Sequence, residues 1–315
     1  MTSPVPSPLV VSSPIVSTQW LADHLGSDNL VILDATVFAL APVTPDGPRY
    51  LSGREDYLTK GHIPGAVFAD LFEVFSDPTG EFDFSRPNAE LFEAAAASVG
   101  IDNETTVVVY DAVVGQWAAR IWWLFRSFGY DDVAVLDGGL TKWHAETRPY
   151  ATGAVRPRVA GGTHPRFAGG THPRFAGGFV ATPRPELWVD KSFVESIVAG
   201  HADAALVCSI PPAEFAGTAG TRPRAGHIPG SISLPAAKLV DPVTNAFLRG
   251  DALKATLAPT VTSSAHLVTY CGGGIAAAAS ALALIRAGNE HVSIYDGSLN
   301  EWTADAAAPL SAPGA

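Results

Sequence analysis

"TYCGGGIAAAASALALIRAG", residues 269–288, joins the end of an apolar stretch to a single cysteine, three glycines and an alanine-rich run that stops at Gly288. The residues before it, "HLVTY" from His266, are short and β-branched, as in a strand buried on both faces. The run from Ile275 or Ala276 reads as a helix closed by a glycine C-cap. Strand, turn and helix in this order belong to an open α/β sheet, where ligands sit in the crevice beyond the carboxyl ends of the strands. Cys271 falls at that crevice. Glycines after it can adopt positive φ and bring amide N–H groups close to the sulfur, and the helix directs its positive end to the same point. Such surroundings favour a thiolate over a thiol. The alternative is a small buried hydrophobe that merely ends the strand.

The pattern occurs twice. The first half holds "LDA" at Leu33, "KGHIPGAV" at Lys60, "TVVVYDA" at Thr106 and "VLDGGLTKW" at Val135; the second holds "LVCS" at Leu206, "AGHIPGSI" at Ala225, "LVTYCGG" at Leu267 and "IYDGSLNEW" at Ile294. Matched segments in one order mark a duplicated unit, with a period of roughly 150 residues, too long for a solenoid. Strands are expected at 30–33, 106–110, 133–136, 205–207, 266–270 and 292–295, alternating with helices. One helix, "GQWAARIWWLFRSFG", places Trp117, Ile121, Leu124, Phe125 and Phe128 along one face and ends at Gly129. The expected fold class is therefore α/β: two tandem domains, each a mostly parallel sheet flanked by helices. When the copies are overlaid, "VVVYDAVVGQWAAR" falls on "LVTYCGGGIAAAAS", and Asp111 stands where the second copy has Cys271.

Composition agrees with two well-buried domains. The chain has 315 residues, 47% apolar and 16% charged, with a net charge of −11. The acid excess argues against a nucleic-acid or anionic-membrane surface, and a small anionic substrate needs a local cationic pocket. Cys208 and Cys271 are the two cysteines, too few for a disulfide framework and compatible with a reducing compartment. The N-terminal stretch lacks a basic head and is broken by prolines, unlike a signal peptide. No window is long enough to span a bilayer. A cytoplasmic protein is expected. Between the halves, "AGGTHPRF" at 160–167 is repeated at 168–175. This reads as a duplicated linker insertion, since His164 and His172 lack the cysteine or carboxylate neighbours that a metal shell requires.

The motifs "GHIPGA", "GHIPGS", "VVVYD", "RIWWLFRSFG", "LDGGLTKW" and "YCGGGIAA" resemble those of the two-domain rhodanese-type sulfurtransferases, the thiosulfate/3-mercaptopyruvate sulfurtransferase family. The resemblance spans most of the chain outside the N-terminal tail and the linker. It implies an inactive N-terminal rhodanese domain (1–150), a linker (151–180) and a catalytic C-terminal domain (181–315). It also implies ping-pong chemistry: Cys271 takes sulfane sulfur from a small anionic donor as a persulfide and hands it to an acceptor such as cyanide or a thiol. Thiolate attack on an electrophilic sulfur needs no metal or organic cofactor. The environment that favours a thiolate also stabilises a persulfide anion.

Members that use thiosulfate tend to follow the cysteine with cations, whereas mercaptopyruvate-type members have a neutral loop. Gly272, Gly273, Gly274, Ile275 and Ala276 form a neutral loop here, which points to a donor bearing a carboxylate. Gly273 stands where the family has a serine of a proposed proton relay. Asp70 matches the aspartate of that relay, and "FDFSRP" offers Arg86 in place of its histidine. Of two substrate-binding arginines before the second GHIPG, the first position is Glu214, and Arg222 or Arg224 fills the second. Arg86 either faces the cleft in place of the lost anchor or is a surface arginine. Trp117 walls the pocket or belongs to the core. Arg120 is expected to hold domain structure together through a carboxylate partner. Cys208, where the family has an aspartate, reads as an inert buried thiol, and His62 and His227 as turn residues common to both copies. Dual-specificity phosphatases with a rhodanese-like domain carry an arginine in a longer loop; Ala277 occupies its place, and a phosphate dianion would lack its main partner. The remaining rival is a module that carries a persulfide for a protein partner without turnover.

Overall fold

The structure, a computed structural model, describes residues 9–40, 49–158, 178–220, 222, 224–261 and 266–312. The tandem AGGTHPRF repeat, with His164 and His172, lies outside them. In the first half the strands are β1 (Ile15–Val16), β2 (Leu30–Asp34), β3 (Val37–Ala39), β4 (Tyr50–Ser52), β5 (Val67–Phe68), β6 (Thr106–Tyr110) and β7 (Val133–Leu136). In the second half they are β8 (Trp188–Val189), β9 (Ala205–Cys208), β10 (Ile232–Ser233), β11 (Leu267–Tyr270) and β12 (Val292–Tyr295). Two five-stranded sheets result, ordered β1-β7-β6-β2-β5 and β8-β12-β11-β9-β10, so each strand of one has a counterpart at the same place in the other. Every pairing within them is parallel. The hairpin β3–β4, antiparallel and outside both sheets, has no counterpart among the described strands of the second half.

Strands β6, β7, β11 and β12 are buried throughout, as continuous apolar runs in a sheet covered on both faces must be. The helices Gln116–Ser127 and Ile275–Arg286 follow β6 and β11 and pack on one another between the sheets. That contact explains a departure from the one-sided stripe read in the sequence: Trp122 and Trp123, outside the stripe, are buried too. Burying a large apolar side chain contributes about 1.5–3 kcal/mol, so a helix covered all round ties the domains together as well as its own sheet. Gly129, at φ 83°, ends the first helix and Gly288, at φ 93°, the second, in the left-handed conformation glycine adopts without strain.

Candidate active site

Both copies build the same turn at the carboxyl end of the central strand. Cys271 follows β11 directly, and the helix begins after Gly274 at φ 76°; Asp111 follows β6, and its helix begins after Gly115 at φ 79°. The cysteine-bearing loop is one residue shorter. Gly115 therefore corresponds to Gly274, and the ungapped overlay holds at Asp111 and Cys271 but slips by one beyond them.

The first copy shows what the turn is built to hold. Asp111 Oδ1 accepts from the amides of Val113 and Gly115 at 2.9 Å, and Oδ2 from those of Trp117 (2.9 Å) and Ala118 (3.0 Å). A buried carboxylate thus sits in a cradle of four amides. Burial pushes its pKa up, and the amide bonds oppose that. In the second copy this place belongs to the Cys271 side chain.

The cysteine loop is fastened differently. The Cys271 and Gly274 amides both donate to Ser298 Oγ at 3.1 Å, and Ser298 donates to the Tyr295 carbonyl at 2.8 Å. Two loop amides are thereby directed to a hydroxyl rather than to the sulfur. The amides of Gly272 and Gly273 have no hydrogen-bond partner among the described residues. The first-turn amides of the helix have no intrahelical acceptor either. Ser298 holds a left-handed φ of 50°, unusual for a side-chain-bearing residue. Its counterpart is Gly139 at φ 51°, where a Cβ would lie 2.2 Å from the Asp111 carbonyl oxygen. Only the cysteine-bearing copy has room for the hydroxyl.

Each glycine of the loop has its own reason. A Cβ on Gly272 would lie 2.6 Å from Arg222 Nη2, and one on Gly273 3.0 Å from Asn300 Nδ2. Gly274 adds to its positive φ a close approach to Asp296 Oδ1 (2.8 Å) and Arg120 Nη1 (2.9 Å). Those two side chains form the carboxylate pairing expected of Arg120, and it clamps one domain to the other. Arg120 Nη1 lies 2.6 Å from Asp296 Oδ1, its Nη2 donates to the Phe84 carbonyl at 2.8 Å, and Asp296 Oδ2 accepts from the Arg86 amide at 2.9 Å. The reciprocal clamp joins Asp137 to the Phe247 amide (2.8 Å) and to Arg249 Nη2 (2.7 Å). Phe247 also crowds Gly115, its Cζ 2.7 Å from where a Cβ would stand, so the Asp111 turn is plugged.

The Cys271 turn opens instead onto a cavity of about 320 Å³ between the domains. Cys271, only 3% exposed, lies in its wall. The first domain contributes Tyr50, Phe84, Val114 and Trp117, and the second Ile210, Pro211, Pro212 and Ile275. Among the described lining residues the cations are Arg222 and Lys238 and the anions Asp83 and Glu214. Arg222 Nη1 is paired with Glu214 Oε2 at 2.8 Å.

Of the residues singled out in the sequence, Cys271, Gly272, Gly273, Ile275, Ala276, Arg222 and Trp117 meet at this cavity. Gly274 packs behind it against the clamp. Three others lie elsewhere. Arg224 donates to the carbonyls of Asp305 (2.5 Å) and Ala308 (2.5 Å), which hold the segment after the last helix. Arg86 is exposed, its guanidinium carbon 5.2 Å from the Trp188 ring centre, and it enters the clamp through its backbone. Asp70 Oδ1 accepts from the amides of Phe72 (2.9 Å) and Glu73 (3.1 Å) and caps its own turn. Sequence reasoning missed Tyr50, Asp83, Lys238, Asn300 and Ser298. For Ser298 a signal existed, since "YDGSL" replaces the "LDGGL" of the first copy.

Cys208 is fully buried, its thiol pushed up to about 12 chiefly by burial. The histidines belong to turns. The His62 and His227 backbones bridge to Ala151 and Ser311, pinning the segment that leaves each domain, and the His227 ring stacks on Phe215 at 3.6 Å.

Two parallel sheets of one topology, facing each other across a cleft with a cysteine at the strand end of only one, define a tandem rhodanese-type α/β protein. Sequence and structure comparisons agree. The rhodanese-like domain model matches residues 17–146 and 203–305. Thiosulfate/3-mercaptopyruvate sulfurtransferase 1, mitochondrial, of Arabidopsis thaliana is 33% identical over 317 residues, 96% of this chain and 79% of its own length. 3-Mercaptopyruvate sulfurtransferase of Escherichia coli strain K12 is 30% identical over 94% of this chain and 96% of its own. The crystal structure of SseA from Escherichia coli superposes with a TM-score of 0.73 at 29% identity, covering 91% of this chain and 99% of that one. The chain belongs to the rhodanese-like family. Within it, this is a two-domain enzyme of the sulfurtransferase class. No described helix is long and apolar enough to cross a membrane.

Proposed function

We propose that Cys271 carries sulfane sulfur between a small anionic donor and a thiophilic acceptor. The Cys271 thiolate attacks the donor's outer sulfur, forming an S–S bond. With thiosulfate the bond that breaks is S–S and sulfite leaves; with 3-mercaptopyruvate it is C–S, and the enolate of pyruvate leaves and takes up the proton from the donor's thiol. A thiol or cyanide then attacks the outer sulfur of the persulfide, and the thiolate returns. The supporting observation is placement: the sole cysteine on the 320 Å³ interdomain cavity stands where the sister domain holds a carboxylate in four amide hydrogen bonds. Arg222, whose Nη2 lies against the Gly272 backbone, and Lys238 supply the cationic side for a donor carboxylate or sulfonate. The neutral loop favours a carboxylate-bearing donor. Asp111 cannot form a persulfide, so the first domain serves as wall and clamp.

A second reading, a persulfide carrier without turnover of small donors, is favoured by one contact. Glu214 already occupies Arg222, so a donor must share or displace that partner. Steady-state turnover of 3-mercaptopyruvate and thiosulfate, with Cys271→Ser as control, separates the readings. Turnover with either donor, abolished by the substitution, supports the enzyme. Persulfide on Cys271 without turnover supports the carrier, and turnover that survives the substitution refutes both.

A further inference from the structure

The cavity contains one hydroxyl whose placement the family relay does not account for. Tyr50 begins β4, half of the hairpin outside the two sheets, and reaches the wall that also holds Cys271. Its ring is fixed edge-on against Phe84 at 5.2 Å and Trp117 at 5.6 Å, both cavity residues. Three phenols elsewhere in the fold are engaged: Tyr57 donates to the Ala66 carbonyl, Tyr130 to that of Thr105, and Tyr270 pairs with Ser231, whereas the Tyr295 hydroxyl, away from this cavity, is unpartnered among the described residues. Among the described residues nothing hydrogen-bonds the Tyr50 hydroxyl. Burial pushes this phenol above its ordinary value, the neighbouring Cys271 charge pushes further, and Arg222 opposes. The group therefore stays protonated at neutral pH and is available as a donor. Meanwhile the relay positions are empty of suitable groups: Gly273 has no side chain, and Asp70 caps its own turn.

We propose that the Tyr50 hydroxyl donates a hydrogen bond to the carbonyl oxygen of an α-keto thiol donor and stabilises the enolate released when its C–S bond breaks. This rests on the assignment of Cys271 as sulfur acceptor. In the step, the Cys271 Sγ–sulfur bond forms while the donor's C–S bond breaks, and the bonding pair flows through the methylene carbon onto the carbonyl oxygen facing Tyr50. The proton from the donor's thiol ends on that carbon, giving the keto acid and a persulfide anion. No oxidant is needed. Thiosulfate differs in kind, since sulfite leaves as a stable anion and generates no enolate. Tyr50 thus separates the two donor classes: it assists one and is idle for the other.

The test is Tyr50→Phe in the full chain, assayed with 3-mercaptopyruvate and with thiosulfate. The variant removes only a hydroxyl without a partner among the described residues, so the fold is retained, which an unchanged unfolding midpoint verifies. Loss of one donor to a developing oxyanion costs about 10²–10³ in rate. A fall of that order in kcat for 3-mercaptopyruvate is expected, with KM little changed. Turnover of thiosulfate, and loading of Cys271 from inorganic polysulfide read by intact mass, should match the wild type. Equal losses with all sulfur sources would overturn the proposal in favour of a merely steric role. So would an unchanged kcat, a loss confined to KM, or a wild-type protein inert toward 3-mercaptopyruvate. Cys271→Ser failing to abolish turnover would instead overturn the underlying assignment.

Discussion

Ser298→Ala probes the loop at its anchor. The hydroxyl is fully buried and accepts from the Cys271 and Gly274 amides at 3.1 Å while donating to the Tyr295 carbonyl. Leaving a buried donor unsatisfied costs about 1–3 kcal/mol. Two amides are orphaned, and relaxation of a glycine loop recovers part of the sum, so the expected loss is about 2–4 kcal/mol. Ser298→Gly removes the same hydroxyl but also relieves the left-handed φ of 50°. Since that conformation costs an L-residue roughly 1–2 kcal/mol, the glycine variant should be more stable than the alanine variant by about that amount. Urea unfolding at constant m reads both values, and kcat reports whether Cys271 has shifted, with both variants slower than wild type. An alanine variant within about 0.5 kcal/mol of wild type, the ordinary range for an inconsequential substitution, with wild-type kcat, would refute the reasoning.

Two further outcomes follow from the same geometry. Gly272→Ala places a methyl 2.6 Å from Arg222 Nη2 without demanding a positive φ. It should displace the guanidinium and raise KM for anionic donors by about 10-fold or more, the worth of a charge-assisted hydrogen bond, with the unfolding midpoint nearly unchanged; an unaltered KM would remove Arg222 from donor binding. Asp34, whose carboxyl burial raises from 3.8 to about 6, accepts from the Thr36 amide and hydroxyl. The folded state then binds more protons than the unfolded state between about pH 4 and pH 6, so stability is lost as pH rises through that window, by about 3 kcal/mol at most. Asp34→Asn should flatten this slope; an equal pH dependence in the variant would place its origin elsewhere.

Much of this site was legible in the sequence because its signals are local. Apolar β-branched runs ending at Tyr110 and Tyr270, and helices closed by Gly129 and Gly288, repeat in the same order, and duplication identified the cysteine as the difference between the copies. Strands β1, β5, β8 and β10 escaped because two residues are too few for any periodicity to register. The one-residue loop difference was hidden because Gly-Gly-Gly aligns equally well in either register. Arg224 and Asp70 show the limit of residue type alone. An arginine is equally suited to carbonyl oxygens and to substrate, and a carboxylate to amides and to a relay, and only tertiary contacts choose. Tyr50 was invisible because its hairpin lacks a described counterpart in the second half, so comparison of the copies had nothing to set it against.

Intact-mass and peptide analysis after donor treatment, without acceptor, decides whether an anion-holding turn has been turned to sulfur transfer. The prediction is one added sulfur atom on the peptide bearing Cys271, discharged by cyanide or a thiol, with Cys208 unmodified. Sulfur found on Cys208, or a Cys271 that gains none from either donor, would contradict it.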